Sequence, residues 1–106
     1  MDIETIRDCA INLKFSSHAR DEMLYEEHGV IREQEIKEAI QSGEIIEQYS
    51  LDRPCPSFLI YGQTLKKRPL HIVCAPVEQE RTLIIITIYQ PDPSLWIDYR
   101  KRRTKV

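Results

Sequence analysis

Glycine is scarce in this chain, with 3 in 106 residues. Loops that cradle phosphate groups rely on closely spaced glycines, and none of the patterns G-x-x-x-x-G-K-[ST], G-x-G-x-x-G or G-x-S-x-G occurs. Nucleotide hydrolysis by those motifs is thereby excluded. Cysteine is equally sparse: Cys9, Cys55 and Cys74 are an odd number without a C-x-x-C pair. That excludes a disulfide framework and suits free thiols in a reducing compartment. Long apolar runs are missing too, none exceeding the four residues Leu83 to Ile86, whereas a membrane-spanning helix needs roughly 20. The first ten residues carry acids early and lack the basic stretch and apolar core of a signal peptide. The expectation is a cytoplasmic protein with no membrane partner.

Histidine is limited to three residues, and their spacing disfavours a metal. His71 and Cys74 stand three apart on an expected strand, where side chains alternate, so they point to opposite faces. His18 and His28 are ten residues apart on an expected helix, roughly 15 Å by its rise. Neither pair can supply a zinc or iron site, and the expectation is no metal and no cofactor.

What is present describes an ordinary globular chain. Hydrophobic residues make up 42% and charged residues 30%, and the length suits one domain over 1–106, divided into an N-terminal helix (1–14), a core (15–97) and a basic C-terminal tail (98–106). The formal charge is −2, unevenly spread. Residues 1–50 carry 12 acids against 5 bases, net −7, and residues 51–106 carry 10 bases against 5 acids, net +5. Because an anion senses charge within a Debye length of roughly 8 Å, the C-terminal half is the candidate anion-binding half.

Periodicity supplies the elements. Ile3, Ile6, Ala10 and Leu13 recur at helical spacing, predicting a helix over 2–12. Ser16-Ser17 offers a cap to a second helix over 17–28, with Ala19, Met23 and Leu24 inward and Gly29 at its end. Ile36, Ala39 and Ile40 mark a third helix over 33–42, followed by Gly43. Four β-rich runs follow, at 45–49, 57–65, 69–77 and 82–89. The links between them are too short for crossover helices, so neighbours pair antiparallel. The fold class is thus α+β: two to three N-terminal helices on a four-stranded antiparallel sheet. The third and fourth strands are apolar on both faces and belong in the middle. In the fourth, the alternation seats Ile84, Ile86 and Ile88 on the helices and turns Leu83, Ile85, Thr87 and Tyr89 to the open face.

A polar set then lies along the sheet. If His71 shares the open face with Tyr89, an imidazole and a phenol stand near Arg68 and the tail residues Arg100, Lys101, Arg102, Arg103 and Lys105. Such a set suits metal-free RNA cleavage, with His71 as base, an arginine such as Arg20 steadying the phosphate and Tyr89 donating or stacking. Arg68, Arg100, Arg102 and Arg103 are the candidate nucleic-acid contacts. Each has an ordinary alternative: a strand histidine satisfied structurally, Arg20 paired with Glu26, Glu27 or the sheet edge, and a solvated tail.

The ordered string Ser17-His18-Ala19-Arg20, Gly43-Glu44-Ile45-Ile46, Arg68-Pro69-Leu70-His71-Ile72-Val73 and Ile86-Thr87-Ile88-Tyr89-Gln90-Pro91-Asp92, with Trp96 and Arg103, resembles a small bacterial family, domain-of-unknown-function family 4258, over about residues 15–103. The resemblance implies kinship with RelE/ParE-like toxins, whose fold sets two or three helices against an antiparallel sheet. It also implies recurrent polar positions at His18, Arg20, His71, Thr87, Tyr89 and Arg103. By that kinship the chain is a metal-independent endoribonuclease acting on RNA, or a non-catalytic module of the same fold that binds nucleic acid, an antitoxin-like protein or a second copy. RelE-type ribonucleases are strongly basic, while this chain has a pI of about 5.9.

Overall fold

The structure, a computed structural model, describes residues 1–104, so Lys105 of the expected tail lies outside the described residues. Three helices form where the caps allow. In α1 (Ile3–Cys9) the Asp2 carboxylate accepts from the Thr5 N–H at 3.1 Å. In α2 (Ser17–Tyr25) the Ser16 hydroxyl accepts from the Ala19 N–H at 3.0 Å. In α3 (Glu33–Gln41) the Glu35 carboxylate reaches back to the Arg32 N–H at 3.0 Å. Each cap satisfies an amide that has no partner in the first turn. The second helix ends at Tyr25, sooner than expected. Gly29 does adopt a left-handed φ of 110°, but in the following turn.

The sheet has five strands, not four, and is mixed rather than purely antiparallel. Its order is β1-β5-β4-β3-β2, with β1 Asn12–Phe15, β2 Glu44–Tyr49, β3 Ser57–Gln63, β4 Pro69–Val77 and β5 Thr82–Tyr89. The added strand is β1, which pairs parallel to β5 from Asn12↔Thr82 to Phe15↔Ile85. Leu13 therefore belongs to a strand and not to the first helix. The other pairs are antiparallel and follow the expected meander, with β4 in the centre. Pro76 lies beyond the last β3–β4 pair, Phe58↔Cys74, so its missing N–H interrupts no ladder there.

The helices cover one face, and the core joins Ile6 and Cys9 of α1, Ala19 of α2 and Ile36, Ala39 and Ile40 of α3 to Leu70, Ile72 and Cys74 of β4. Here the expected strand faces need correction. Leu83 and Ile85 lie in this core, while Ile84 and Ile86 are half-buried outside it, and Ile88 rejoins the core. A β-bulge opposite Val73 and Cys74 shifts the alternation by one residue. Leu24, expected inward, is exposed. Gly43 and Gly62 let α3 approach the sheet: a Cβ on Gly62 would stand 1.8 Å from the Ala39 carbonyl oxygen and one on Gly43 2.7 Å from the same atom. Gly43 is thus needed for space, not for a left-handed cap.

The chain after β5 returns across the opposite face. Trp96–Ile97 (β6) and Lys101–Arg102 (β7) form a small hairpin, whose turn residues Asp98 and Tyr99 adopt positive φ of 54° and 60°. The expected free tail is therefore partly a built hairpin. Among the described residues no helix is long and apolar enough to cross a membrane.

Candidate functional site

His71 and Tyr89 face each other directly across β4 and β5, as the sequence suggested, but not on an open surface. The C-terminal hairpin seals them. His71 is 0% exposed; the Trp96 ring meets it edge-on with centroids 4.4 Å apart, and Tyr61, itself stacked on Tyr99, meets it edge-on from β3. The His71 Nε2 lies 2.6 Å from the Tyr99 carbonyl oxygen and the Nδ1 lies 3.1 Å from the Tyr89 hydroxyl. A carbonyl only accepts, so Nε2 carries the proton and Nδ1 accepts from Tyr89. Burial holds the imidazole below its usual pKa, hence neutral near pH 7. Burial also pushes the Tyr89 phenol up to about 12. Both ring nitrogens are engaged, so this imidazole has no free lone pair to offer a substrate.

The candidate arginines are placed as follows. Arg20 lies over the Phe15 ring at the sheet edge, 5.0 Å from its centroid, and is not among the hydrogen-bond partners of His71, which are Tyr89 and Tyr99. Arg68 is a clamp: its Nε donates to Gln90 Oε1 at 2.9 Å, its Nη1 to the Val30 carbonyl and to Glu35, and its Nη2 to the Gly29 carbonyl at 2.6 Å. Arg100 lies over Tyr61 and pairs with Glu44 and Asp98; Arg102 lies over Trp96 and pairs with Glu47. Burial works against ionisation of Glu47, yet hydrogen bonds from Arg102 and Tyr49 outweigh it and hold its carboxyl below the usual value. Arg103 donates to the Pro93 carbonyl at 3.0 Å.

An accessible concavity beside this sealed cluster has the opposite charge. A cleft of about 590 Å³, within the usual size of ligand sites, lies between the outer face of α2 and the segment after β5. Its acids are Asp21, Glu22, Glu26, Glu27 and Asp92, with His18 the basic side chain among its lining residues. Its apolar surface comes from Tyr25 (80% exposed), Leu95 (61% exposed) and the edge of Trp96. Glu22 is held in place: its Oε1 accepts from the Ile88 N–H at 2.9 Å and lies 3.3 Å from His18 Nε2, and burial raises its pKa. In the sequence these acids counted only as net charge and, for Glu26 and Glu27, as partners of Arg20, and so the cleft was missed. His18, Glu22 and Tyr25 recur at intervals of four and three, which places them on one stripe of a helix.

His71 and Cys74 do face opposite sides, Cys74 in the helix-covered core. Among the described residues one group brings ligand atoms close together, Glu26, Glu27 and His28, within 4.8 Å of one another. They are consecutive positions in an exposed turn, with His28 already 3.2 Å from Glu27.

No curated protein and no solved structure matches the chain. Residues 15–90, which run from the end of β1 to the close of β5 and include His71, Tyr89 and most of the cleft, match one family, so that this chain belongs to the family described as Domain of unknown function (DUF4258).

Proposed function

We propose that the chain is a non-catalytic, partner-binding module, kin to RelE/ParE-like toxins by the resemblance in its sequence, whose working surface is the cleft between α2 and the segment after β5. The observation that carries this reading is the inversion of accessibility around His71: the imidazole is sealed and doubly bonded, while the cleft open to solvent beside its cluster is lined by carboxylates. A general base must come within about 2.6–3.2 Å of the proton it removes, and Nδ1 already accepts the Tyr89 proton. An RNA phosphate entering the cleft meets Asp21, Glu22, Glu26, Glu27 and Asp92, each close like-charge pair opposing it by about 1 kcal/mol even in water. Exposed Tyr25 and Leu95 favour a protein, since contiguous apolar surface ringed by polar groups marks protein contacts.

The test uses a photo-cross-linker in the cleft. Tyr25→p-benzoylphenylalanine gives a discrete protein adduct in cells, whereas Leu51→p-benzoylphenylalanine, 84% exposed but outside the cleft, gives none. An adduct of twice the chain's mass identifies a second copy as the partner. In parallel, 5′ ends of total RNA are mapped after induction, and no new ends are expected. New ends that vanish in the His71→Gln protein overturn the proposal in favour of a ribonuclease.

A further inference from the structure

The partner-binding reading leaves the occupant of the cleft open, and the neighbouring end of the sheet supplies one. The turn 64–68 between β3 and β4 is braced by four backbone donors. The Thr64 N–H donates to the Arg68 carbonyl and the Lys67 N–H to the Thr64 carbonyl, both at 2.9 Å. The Arg68 N–H donates to the Thr64 hydroxyl at 3.1 Å and the Leu65 N–H to Glu38 Oε1 at 3.0 Å. On this turn Leu65 stands 81% exposed, with Lys66 and Lys67 exposed beside it. The backbone cannot swing that leucine inward without breaking these bonds. Among the described residues neither lysine has an ion-pair partner. An apolar tip carrying two unpaired lysines is the counterpart of the cleft, where Tyr25 and Leu95 are exposed among Asp21, Glu26, Glu27 and Asp92.

The two surfaces adjoin. Leu65, Lys66 and Arg68 line a second concavity, together with Val30. The Arg68 Nε donates to Gln90, which lines the acidic cleft, and its Nη2 to the Gly29 carbonyl, in the turn that follows Glu26 and Glu27. The Arg68 clamp is therefore a shared wall, with the lysines to one side and the carboxylates to the other. None of residues 64–68 lines the acidic cleft of its own chain. Where complementary patches lie side by side, a two-fold rotation sets each against its complement and both contacts close at once; patches at opposite ends would give an open row of molecules.

We propose that this end of the molecule is a two-fold interface between copies of the chain, in which the Leu65-Lys66-Lys67 turn of each copy fills the acid-lined cleft of the other. This rests on the partner-binding reading above and names a second copy as the partner. Leu65 meets Tyr25 and Leu95 at the centre, and Lys66 and Lys67 meet Glu26, Glu27 and Asp92 around them, the apolar core and charged rim of a protein interface. Charge sets the pairing, since turn against turn or cleft against cleft brings like charges together.

The test is a charge exchange on the full chain, read by sedimentation velocity. The unmodified chain is expected to sediment as a dimer that dissociates as salt rises. Lys66→Glu/Lys67→Glu and Glu26→Lys/Glu27→Lys are each expected to be monomeric, and Leu65→Ser to dimerise about tenfold more weakly or worse. All five positions lie outside the core, and unchanged urea midpoints check that the variants fold. Mixed in equal amounts, the two charge variants are expected to form a heterodimer, because the reversed turn meets the reversed cleft and the unaltered turn the unaltered cleft. A chain that stays monomeric at about 0.5 mM, where even a Kd of about 0.1 mM gives mostly dimer, overturns the proposal. So does a dimer untouched by either charge variant, or a mixture that fails to pair. If the chain is monomeric while Tyr25→p-benzoylphenylalanine captures a protein of another mass, the second copy falls and the partner-binding reading stands; a monomeric chain with no adduct ends both.

Discussion

The sealing of His71 makes a quantitative prediction. His71→Ala removes a fully buried ring, its bond to the Tyr99 carbonyl and its acceptor for the Tyr89 hydroxyl. Truncating a buried ring costs about 3 kcal/mol, and a stranded carbonyl adds about 1 kcal/mol. The sum, about 4 kcal/mol, is a large share of the roughly 5–15 kcal/mol by which domains are stable. It corresponds to a fall in Tm of roughly 15–25 °C for a chain of this size. His71→Gln keeps a donor for Tyr99 and should recover part of the loss. Urea unfolding followed by Trp96 emission measures both, because that indole lies against the imidazole. The pH dependence has a definite sign. Burial lowers the folded pKa of His71, while the unfolded chain takes up the proton near 6.5. Stability due to this group is therefore complete above about 6.5 and is lost as pH falls from there to the folded pKa, by at most about 1.4 kcal/mol per unit. The difference between the unmodified and His71→Gln proteins isolates that slope. A cost of His71→Ala below about 1 kcal/mol, or a flat difference between about pH 7 and 5, would refute the argument that the hairpin seals this ring.

Gly62→Ala places a methyl against the backbone of α3, 1.8 Å from the Ala39 oxygen, and should cost more than about 3 kcal/mol, beyond ordinary overpacking. Gly29→Ala faces open space and pays only for its positive φ, about 1 kcal/mol; urea midpoints that reverse this order would contradict the packing. Arg68→Met should destabilise by about 2–4 kcal/mol and Arg68→Lys by less, since the ammonium cannot reproduce the fork that holds Gln90, Glu35 and the 29–30 backbone. Arg102→Gln should cost under about 1 kcal/mol, as exposed pairs do. It should nevertheless raise the Glu47 carboxyl pKa toward its ordinary value, visible in a carbon NMR titration; an unmoved titration would mean that the pair does not form in solution.

Most of the fold was legible because the elements announce themselves locally. β4 and β5 fall on the residues expected of them, and Ser16, Ile36, Ala39 and Ile40 act as their patterns suggest. The fifth strand was missed because β1 is four residues long and its Leu13 completes a helical stripe with Ile3, Ile6 and Ala10. The alternation Asn12-Leu13-Lys14-Phe15 was the available signal. The bulge in β5 was invisible, because every candidate residue there is apolar and either phase of the alternation looks buried. The C-terminal hairpin was hidden for another reason: its left-handed turn uses Asp98 and Tyr99, where Asn-Gly or Asp-Gly would have signalled it. Missing the hairpin left His71 exposed in expectation, and so the pairing of His71 with Tyr89 was read correctly but its accessibility was not.

The same hairpin changes what the charge distribution means. Along the chain the acids come first and the bases last, which suggested an anion-binding half. In space, Arg100 returns to Glu44, Arg102 to Glu47 and Arg68 to Glu35, so much of the basic half is spent on the acidic half of its own chain. Among the described residues the carboxylates around the cleft have no arginine or lysine counterpart: Asp21 of α2, Glu26 and Glu27 of the turn after it, and Asp92 line it, with Glu27 beside His28. A charge that folding leaves unneutralised around a concave, partly apolar surface is available to a partner of the opposite sign. Low ionic strength should therefore strengthen binding of a basic segment at this cleft, and high ionic strength should weaken it before it affects the buried His71 cluster.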